Sequence, residues 1–278
     1  MEKQVMKQLH FVKTDPAGNT TILVLDPIPA EERSRMARLL MAPASVSAEQ
    51  VAFADAEPPR FCDMGICMMG GEFCGNAVRS AAAWKLFDRE RWQPSVPGTE
   101  RISFEISCTG IEHNVHCTVQ QTGRSVFDVT AEMPLPLSVE RIRMEMQEIW
   151  KARFSGITHY CCCGTFSAEE KANLVRAILN AYPVASREAA GVLFWDGTVL
   201  DPFVYVKDTD TLVNESSCGS GTAAVAACMA FRTQQSVHID ARQTGGMISG
   251  EAIWHNGKVE RLQIGGPVRI TAEGIAYL

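Results

Sequence analysis

Read for its alternation of apolar and polar positions, the chain is mostly short strands, broken by two longer apolar runs that have the composition of helices. The first holds Ala77, Val78, Ala81, Ala82, Ala83 and Trp84, the second Ala223, Ala224, Val225, Ala226, Ala227 and Met229. Runs this rich in alanine and apolar on every side predict buried helices. Before the first run, residues 8–14 alternate as a strand, Asp15-Pro16-Ala17-Gly18-Asn19 is a turn, and residues 21–25 form a second strand of a hairpin. Residues 30–40 carry a helical pattern, with Glu31 and Glu32 early and Arg35 and Arg38 late, as the helix dipole favours. Short strands are expected at 51–53 and 66–69, on either side of a proline-containing loop, with Gly70-Gly71 ending the second.

Beyond the first helix, a loop at 94–98 leads to two alternating strands within 102–119, turning at Thr109-Gly110, and to a strand at 126–132. Residues 138–152, rich in Arg and Glu, read as an exposed connecting helix or extended linker. The second half repeats the plan: a strand at 156–161, an amphipathic helix at 168–179, and strands at 190–194 and 202–206 before the second apolar helix. After it come a strand at 237–240, a turn at Gly245-Gly246, and strands at 249–254, 259–264 and 268–271. Thr244-Gly245 follows the second helix and a strand much as Thr109-Gly110 follows the first. Many short strands with one central helix per half define an α+β chain rather than an alternating βαβ one.

Both apolar helices open on Cys-Gly: Cys74-Gly75-Asn76-Ala77 and Cys218-Gly219-Ser220-Gly221. Each run then reaches a phenylalanine, Phe87 or Phe231, at the same distance, and the two cysteines lie half a chain apart. The expected organisation is two lobes, 1–137 carrying Cys74 and 138–264 carrying Cys218, with a final strand at 265–278 that returns to the first lobe. A chain of 278 residues has room for two domains of ordinary size. Its 46% hydrophobic and 21% charged content is that of a globular protein, and a net charge of −6 offers no footprint for nucleic acid or an acidic membrane. No apolar run reaches the roughly 18 residues that a membrane-spanning helix needs. The first seven residues lack the apolar centre of a secretory signal, which places the chain in the cytoplasm and makes its ten cysteines reduced thiols. No paired CxxC at zinc-finger spacing, GxGxxG, P-loop or HExxH occurs, so neither a metal nor a nucleotide cofactor is expected.

A thiol at a helix N-terminus has its anion stabilised by free backbone N–H groups, and its pKa is expected below the ~8.5 of a free cysteine. The glycine that follows leaves those N–H groups open to a carboxylate, which assigns Gly75, Asn76, Gly219 and Ser220 to substrate binding. Two such thiols acting on one carbon would remove a proton from one face and deliver one to the other, inverting the centre. The other eight cysteines, Cys62, Cys67, Cys108, Cys117, Cys161, Cys162, Cys163 and Cys228, read as small buried hydrophobes. Glu72 and Glu215, just before the helices, serve either helix-end electrostatics or the site.

Phe73-Cys74-Gly75-Asn76-Ala77 and Ser217-Cys218-Gly219-Ser220-Gly221-Thr222-Ala223 resemble the two signatures of the cofactor-independent amino-acid racemases and epimerases of the diaminopimelate epimerase type. That resemblance implies two pseudo-symmetric lobes, each an antiparallel sheet wrapped around a central helix, with Cys74 and Cys218 as base and acid. Gly18-Asn19 is similar to the family's substrate-holding Gly-Asn, and Thr158-His159-Tyr160 to its strand with a supporting histidine beside the site. Longer strings resemble the histidine racemases of staphylopine-type metallophore biosynthesis: residues 16–24, Glu49-Gln50-Val51-Ala52-Phe53, 71–77, 215–223 and Gly245-Gly246. Diaminopimelate epimerases carry a Glu-Arg-Gly before the second cysteine, whose arginine grips the distal end of the substrate. Residues 207–214 contain no arginine. The implied substrate is therefore histidine, with Glu49 meeting its ammonium or imidazole; diaminopimelate or a proline derivative is the alternative, and a thiol redox or metal-buffering protein the reading from another class. No partner beyond the small substrate is implied, and a homodimer is compatible with these readings.

Overall fold

The structure, a computed structural model, describes residues 7–92, 100–144 and 147–278. Residues 1–6, on which the localisation reading rests, and the loop expected at 94–98 lie outside them. In chain order the elements are β1 (Gln8–Asp15), β2 (Thr21–Val24), α1 (Ala30–Met41), β3 (Gln50–Ala54), β4 (Met64–Met68), α2 (Gly75–Trp92), β5 (Arg101–Cys108), β6 (Val115–Gly123) and β7 (Val126–Glu132). They continue with β8 (Ser138–Met144), β9 (Gln147–Arg153), β10 (Ile157–Cys163), α3 (Ala168–Ala181), β11 (Ala189–Trp195), β12 (Leu200–Val206), β13 (Thr211–Asn214), α4 (Gly219–Thr233), β14 (Val237–Gln243), β15 (Gly246–His255) and β16 (Lys258–Tyr277). The chain divides into two units, one of residues up to Ala131 with Gly266–Leu278, the other of Glu132–Gly265.

In the first unit, strands β1 to β7 follow one another across a sheet that β16 closes by lying next to both β7 and β1. The closed sheet wraps α2, whose Ala77, Val78, Ala81, Ala82 and Ala83 are fully buried among Leu23, Ile66, Ile106, Val119, Phe127 and Val129. Small side chains let the strands approach the helix on all sides. Outside the sheet, α1 sets Met36, Ala37 and Leu40 against Ile22, Val24, Val51 and Phe53. The alternation of strand side chains explains why β2 is apolar without a break: Leu23 faces α2 while Ile22 and Val24 face α1.

The second unit repeats this around α4, which packs chiefly on β15 and β14 and also touches β9, β10 and β11. Its six-stranded sheet runs β13-β12-β11-β10-β9-β8. On the far face of that sheet, α3 places Val175 and Ile178 against Tyr160, Cys162, Val192 and Phe194. Alternation along β10 therefore turns His159 and Cys161 the other way, toward α4.

The α+β class holds, and three expectations are corrected. Pairing is not antiparallel throughout: β2–β3, β4–β5 and β10–β11 are parallel, each joined by a crossover helix, α1, α2 and α3, as parallel neighbours require. The segment expected at 138–152 as a helix or linker instead supplies two paired strands, β8 and β9, registered from Ser138 opposite Arg153 to Met144 opposite Gln147. Their charges pair across the strands, Lys151 with Glu140 at 2.8 Å and Arg141 with Glu148 at 3.3 Å. The two strands expected at 259–264 and 268–271 are one, β16, which runs through Gly265-Gly266. No helix among the described residues is long and apolar enough to cross a membrane.

Candidate active site

Cys74 stands at the mouth of α2, its carbonyl accepting the first helical bond from Val78 N at 3.0 Å. The approach to it is braced from the side. Thr109 Oγ1 donates to Glu72 O at 3.0 Å and accepts from Met68 N at 2.9 Å, while Gly110, at φ +85°, leaves a Cβ position that would lie 2.3 Å from Phe73 N. The half-buried Cys74 thiol donates to Gln50 Oε1 at 3.2 Å. Gln50 Nε2 in turn donates to Thr21 Oγ1 at 2.7 Å, and Thr21 Oγ1 to Asn19 O at 3.1 Å. Asn19, expected to hold substrate, thus connects to the sulfur through two residues that motif reading misses. Glu49 is exposed at the foot of β3, next to Gln50, and Glu72 is exposed ahead of Cys74.

The first turn of α2 is held by a fully buried cation. Arg79 donates from Nη1 to Asn76 Oδ1 at 3.2 Å, from Nε to Val129 O at 3.2 Å and from Nη2 to Pro267 O at 3.1 Å. A guanidinium only donates, so the amide oxygen of Asn76 faces it and the NH2 end points away. Burial lowers the Arg79 pKa to about 10, which leaves it charged at neutral pH.

In the second unit Cys218 is itself the N-cap of α4, extended at φ −120° and ψ 103°, with Gly221 N donating to its sulfur at 3.3 Å. Its backbone is clamped: Cys218 N donates to Gln243 Oε1 at 2.7 Å, Gln243 Nε2 to Thr222 Oγ1 at 3.0 Å, and Thr222 Oγ1 to Cys218 O at 2.8 Å. Gly245 N donates to Ser216 O at 2.7 Å. Each unit therefore uses a Thr-Gly turn to hold the residue two before its cysteine. The sulfur lies 3.5 Å from Ser220 Oγ, which lies 3.1 Å from Nε2 of the buried His159. Glu215 follows β13, anchored by its N–H to Pro202 O at 2.9 Å, and its carboxylate meets the thiol.

The lowered thiol pKa expected from helix position does not appear. Burial raises Cys74 to about 11, with the Glu72 charge adding to it, against the opposing N–H groups of Ala77 and Asn76. Cys218 is pushed well above its ordinary value by burial and then by the Glu215 carboxylate, which outweigh Ser220 and Gly221 N–H. Desolvation of the anion wins over the helix terminus in both. His159 moves the opposite way, to about 3 through burial, and stays neutral. A reaction that starts from a thiolate therefore gains population as pH rises: kcat/KM is expected to climb close to tenfold per unit from pH 7 to 9, since both thiols titrate above that window. A flat profile over those two units would contradict this assignment.

Of the residues expected at the site, the structure sets Cys74 beside Gln50, Asn76 against Arg79, and Cys218 beside Ser220 and Glu215 with His159 behind the serine, and the contacts run through Gln50, Gln243, Thr222 and Arg79, to which the sequence assigns no role. Gln50 and Thr222 lie inside the strings that carry the resemblance, whereas Gln243 and Arg79 stand out only as a polar residue at the end of an apolar strand and one inside an apolar helix. Among the described residues no cluster of three or more His, Cys, Asp or Glu side chains could hold a metal ion.

The architecture is that of known racemases, epimerases and isomerases. A hydroxyproline epimerase from Agrobacterium vitis with bound trans-4-hydroxy-L-proline superposes with a TM-score of 0.62 at 11% identity, over 100% of this chain and 94% of that one. A methylitaconate-delta-isomerase gives 0.60 at 13%, over 98% and 96%. The family model described as "Histidine racemase CntK N-terminal domain" matches residues 8–277, and the chain belongs to the histidine racemase family. A histidine racemase of Fusobacterium nucleatum is 30% identical over 291 residues, spanning 100% of this chain and 99% of that protein. One of Staphylococcus aureus is 27% identical over 292 residues, spanning 100% of both. The chain is accordingly an isomerase.

Proposed function

We propose that this chain interconverts L- and D-histidine without a cofactor, Cys74 and Cys218 serving in turn as base and acid at one Cα. The observation that supports it most directly is the repetition of one device: in each unit a Cys-Gly turn opens a buried helix, with the sulfur held by its own hydrogen bonds. Backbone N–H groups at the two helix starts, those of Gly75, Asn76, Gly219 and Ser220, receive the carboxylate as negative charge spreads onto it from Cα, the Asn76 N–H being shared with the Cys74 sulfur. Asn19 and Glu49 contribute to substrate binding beside Cys74, Glu72 acts electrostatically there, and Glu215 does so beside Cys218. The absence of an arginine at 207–214 disfavours a substrate with a distal carboxylate. In this reading the enzyme works in the cytoplasm and its D-histidine feeds metallophore synthesis.

Purified protein in D2O is expected to incorporate deuterium at Cα of L-histidine while optical rotation decays to zero. Exchange on diaminopimelate or hydroxyproline, with none on histidine, would overturn the substrate.

A further inference from the structure

We propose that Cys163 and Cys228 are an oxidisable thiol pair, in which Cys163 is the sulfur that reacts with a hydroperoxide and Cys228 the one that closes the disulfide. The site lies at the far end of α4 from Cys218 and does not depend on which amino acid the enzyme turns over.

Two periodicities meet there. Along β10, Cys162 faces α3, so Cys161 and Cys163 share the opposite face, on which α4 packs. On α4, Cys228 and Arg232 are one turn apart and share a side. The spacings match, since residues two apart on a strand and four apart on a helix are both separated by about 6–7 Å. Cys228 accordingly lies against Cys161: the two thiols are hydrogen-bonded, and Cys228 Sγ is 4.0 Å from the carbonyl oxygen of Trp150, the residue opposite Cys161 on β9. Arg232 lies against Cys163 and donates to its sulfur, with Cys228 close to both.

Access separates the roles. Cys161 and Cys228 have no solvent exposure, whereas Cys163, the last residue of β10, is half-buried beside the exposed Arg232. Burial raises all three thiols of β10, Cys162 to about 12, and Cys228 and Glu148 add to the rise at Cys163. Only at Cys163 does a cation work against it, the Arg232 guanidinium, which favours the thiolate that peroxide chemistry needs. That thiolate attacks one oxygen of the hydroperoxide and the O–O bond breaks, leaving a sulfenic acid on Cys163 and an alcohol, or water when hydrogen peroxide reacts. The Cys228 sulfur then attacks the sulfenic sulfur, and hydroxide leaves as water with the Cys228 proton. The two thiols lose two electrons and the peroxide gains them. The bridge fastens the last turn of α4 to β10 and leaves Cys218 untouched, about 15 Å back along the helix.

The test reads covalent state and needs no turnover of histidine, so its failure and that of the racemase reading are distinguishable. The unaltered protein is treated with a few equivalents of hydrogen peroxide, its remaining thiols are blocked, and its peptides are mapped by mass spectrometry without reduction. A Cys163–Cys228 disulfide that dithiothreitol reverses is the expected product. Cys163→Ser should lower the bridged fraction by about tenfold or more, and Arg232→Gln should slow bridging by about three- to tenfold while leaving the urea midpoint unchanged. Cys228→Ala, a change its alanine-rich helix accommodates, should leave Cys163 as a sulfenic acid that dimedone traps and that excess peroxide carries to a sulfinic acid. Bridging of Cys228 that persists in Cys163→Ser would overturn the proposal. So would oxidation of Cys74 and Cys218 with Cys163 and Cys228 still reduced.

Discussion

Cys74→Ser and Cys218→Ser are each expected to lower histidine racemisation by at least about a thousandfold. A serine hydroxyl in the same place is too weak an acid to yield a base near neutral pH, and the buried setting that raises the thiols would penalise an alkoxide more. The two losses should nevertheless leave different remnants. In the proposed mechanism, the carrier that remains would still meet the α-hydrogen of one enantiomer and could remove it and return deuterium from the same side. One variant should therefore exchange L-histidine with retention and the other D-histidine. The enantiomers have equal free energy in water, so kcat/KM is identical in the two directions for any variant, and the remnants must be read by exchange rather than by directional rates. Retention of a tenth of the activity in either variant, or exchange of the same enantiomer in both, would refute the two-base mechanism.

Gly110→Ala is expected to destabilise the protein by about 2–4 kcal/mol and to lower racemisation without touching a reacting group. The residue sits at φ +85°, and its Cβ would fall 2.3 Å from Phe73 N and 2.7 Å from Glu72 C. The obstructing atoms are backbone, directly before Cys74, so relief means moving the segment that carries the thiol. The adjoining Thr109 Oγ1 bonds to Glu72 O and Met68 N would be disturbed with it. Urea unfolding measures the first effect and kcat the second. A variant with wild-type midpoint and kcat would show that the turn does not position Cys74.

What is legible in the chain follows from side chains that respond to one strong local demand. The central helices declare themselves because alanine runs that must be buried on all sides have few other solutions, and the Cys-Gly starts stand out by occurring twice. The paired strands β8 and β9 are hidden because Glu140, Arg141, Glu148 and Lys151 satisfy one another across them, and charges spaced this way look like a solvated linker. Edge strand β13 shows no alternation because all four of its residues are exposed. Gly265-Gly266 imitates a break in β16, yet pairing with β15 ends at Gly265 and pairing with β1 begins at Arg269, so the strand changes partners there instead of stopping. Gln50 and Gln243 hold the two cysteines from distant strands, a relation that exists only once the sheets have formed. The thiol pKa values are misjudged for the same reason: the helix start is visible in the sequence, but the burial around it is not.

The closing strand of the first unit carries a consequence for synthesis. Residues 8–15 of β1 take their outer partner from 269–277, a segment made only after the whole of the second unit. Until then β1 and β7 are bare edges, open to whatever other strand they meet, whereas the second unit is one continuous stretch that is already complete. The half made first is thus the half finished last, and a chain cut short at Gly265 would keep both cysteines while leaving the barrel around Cys74 unsealed.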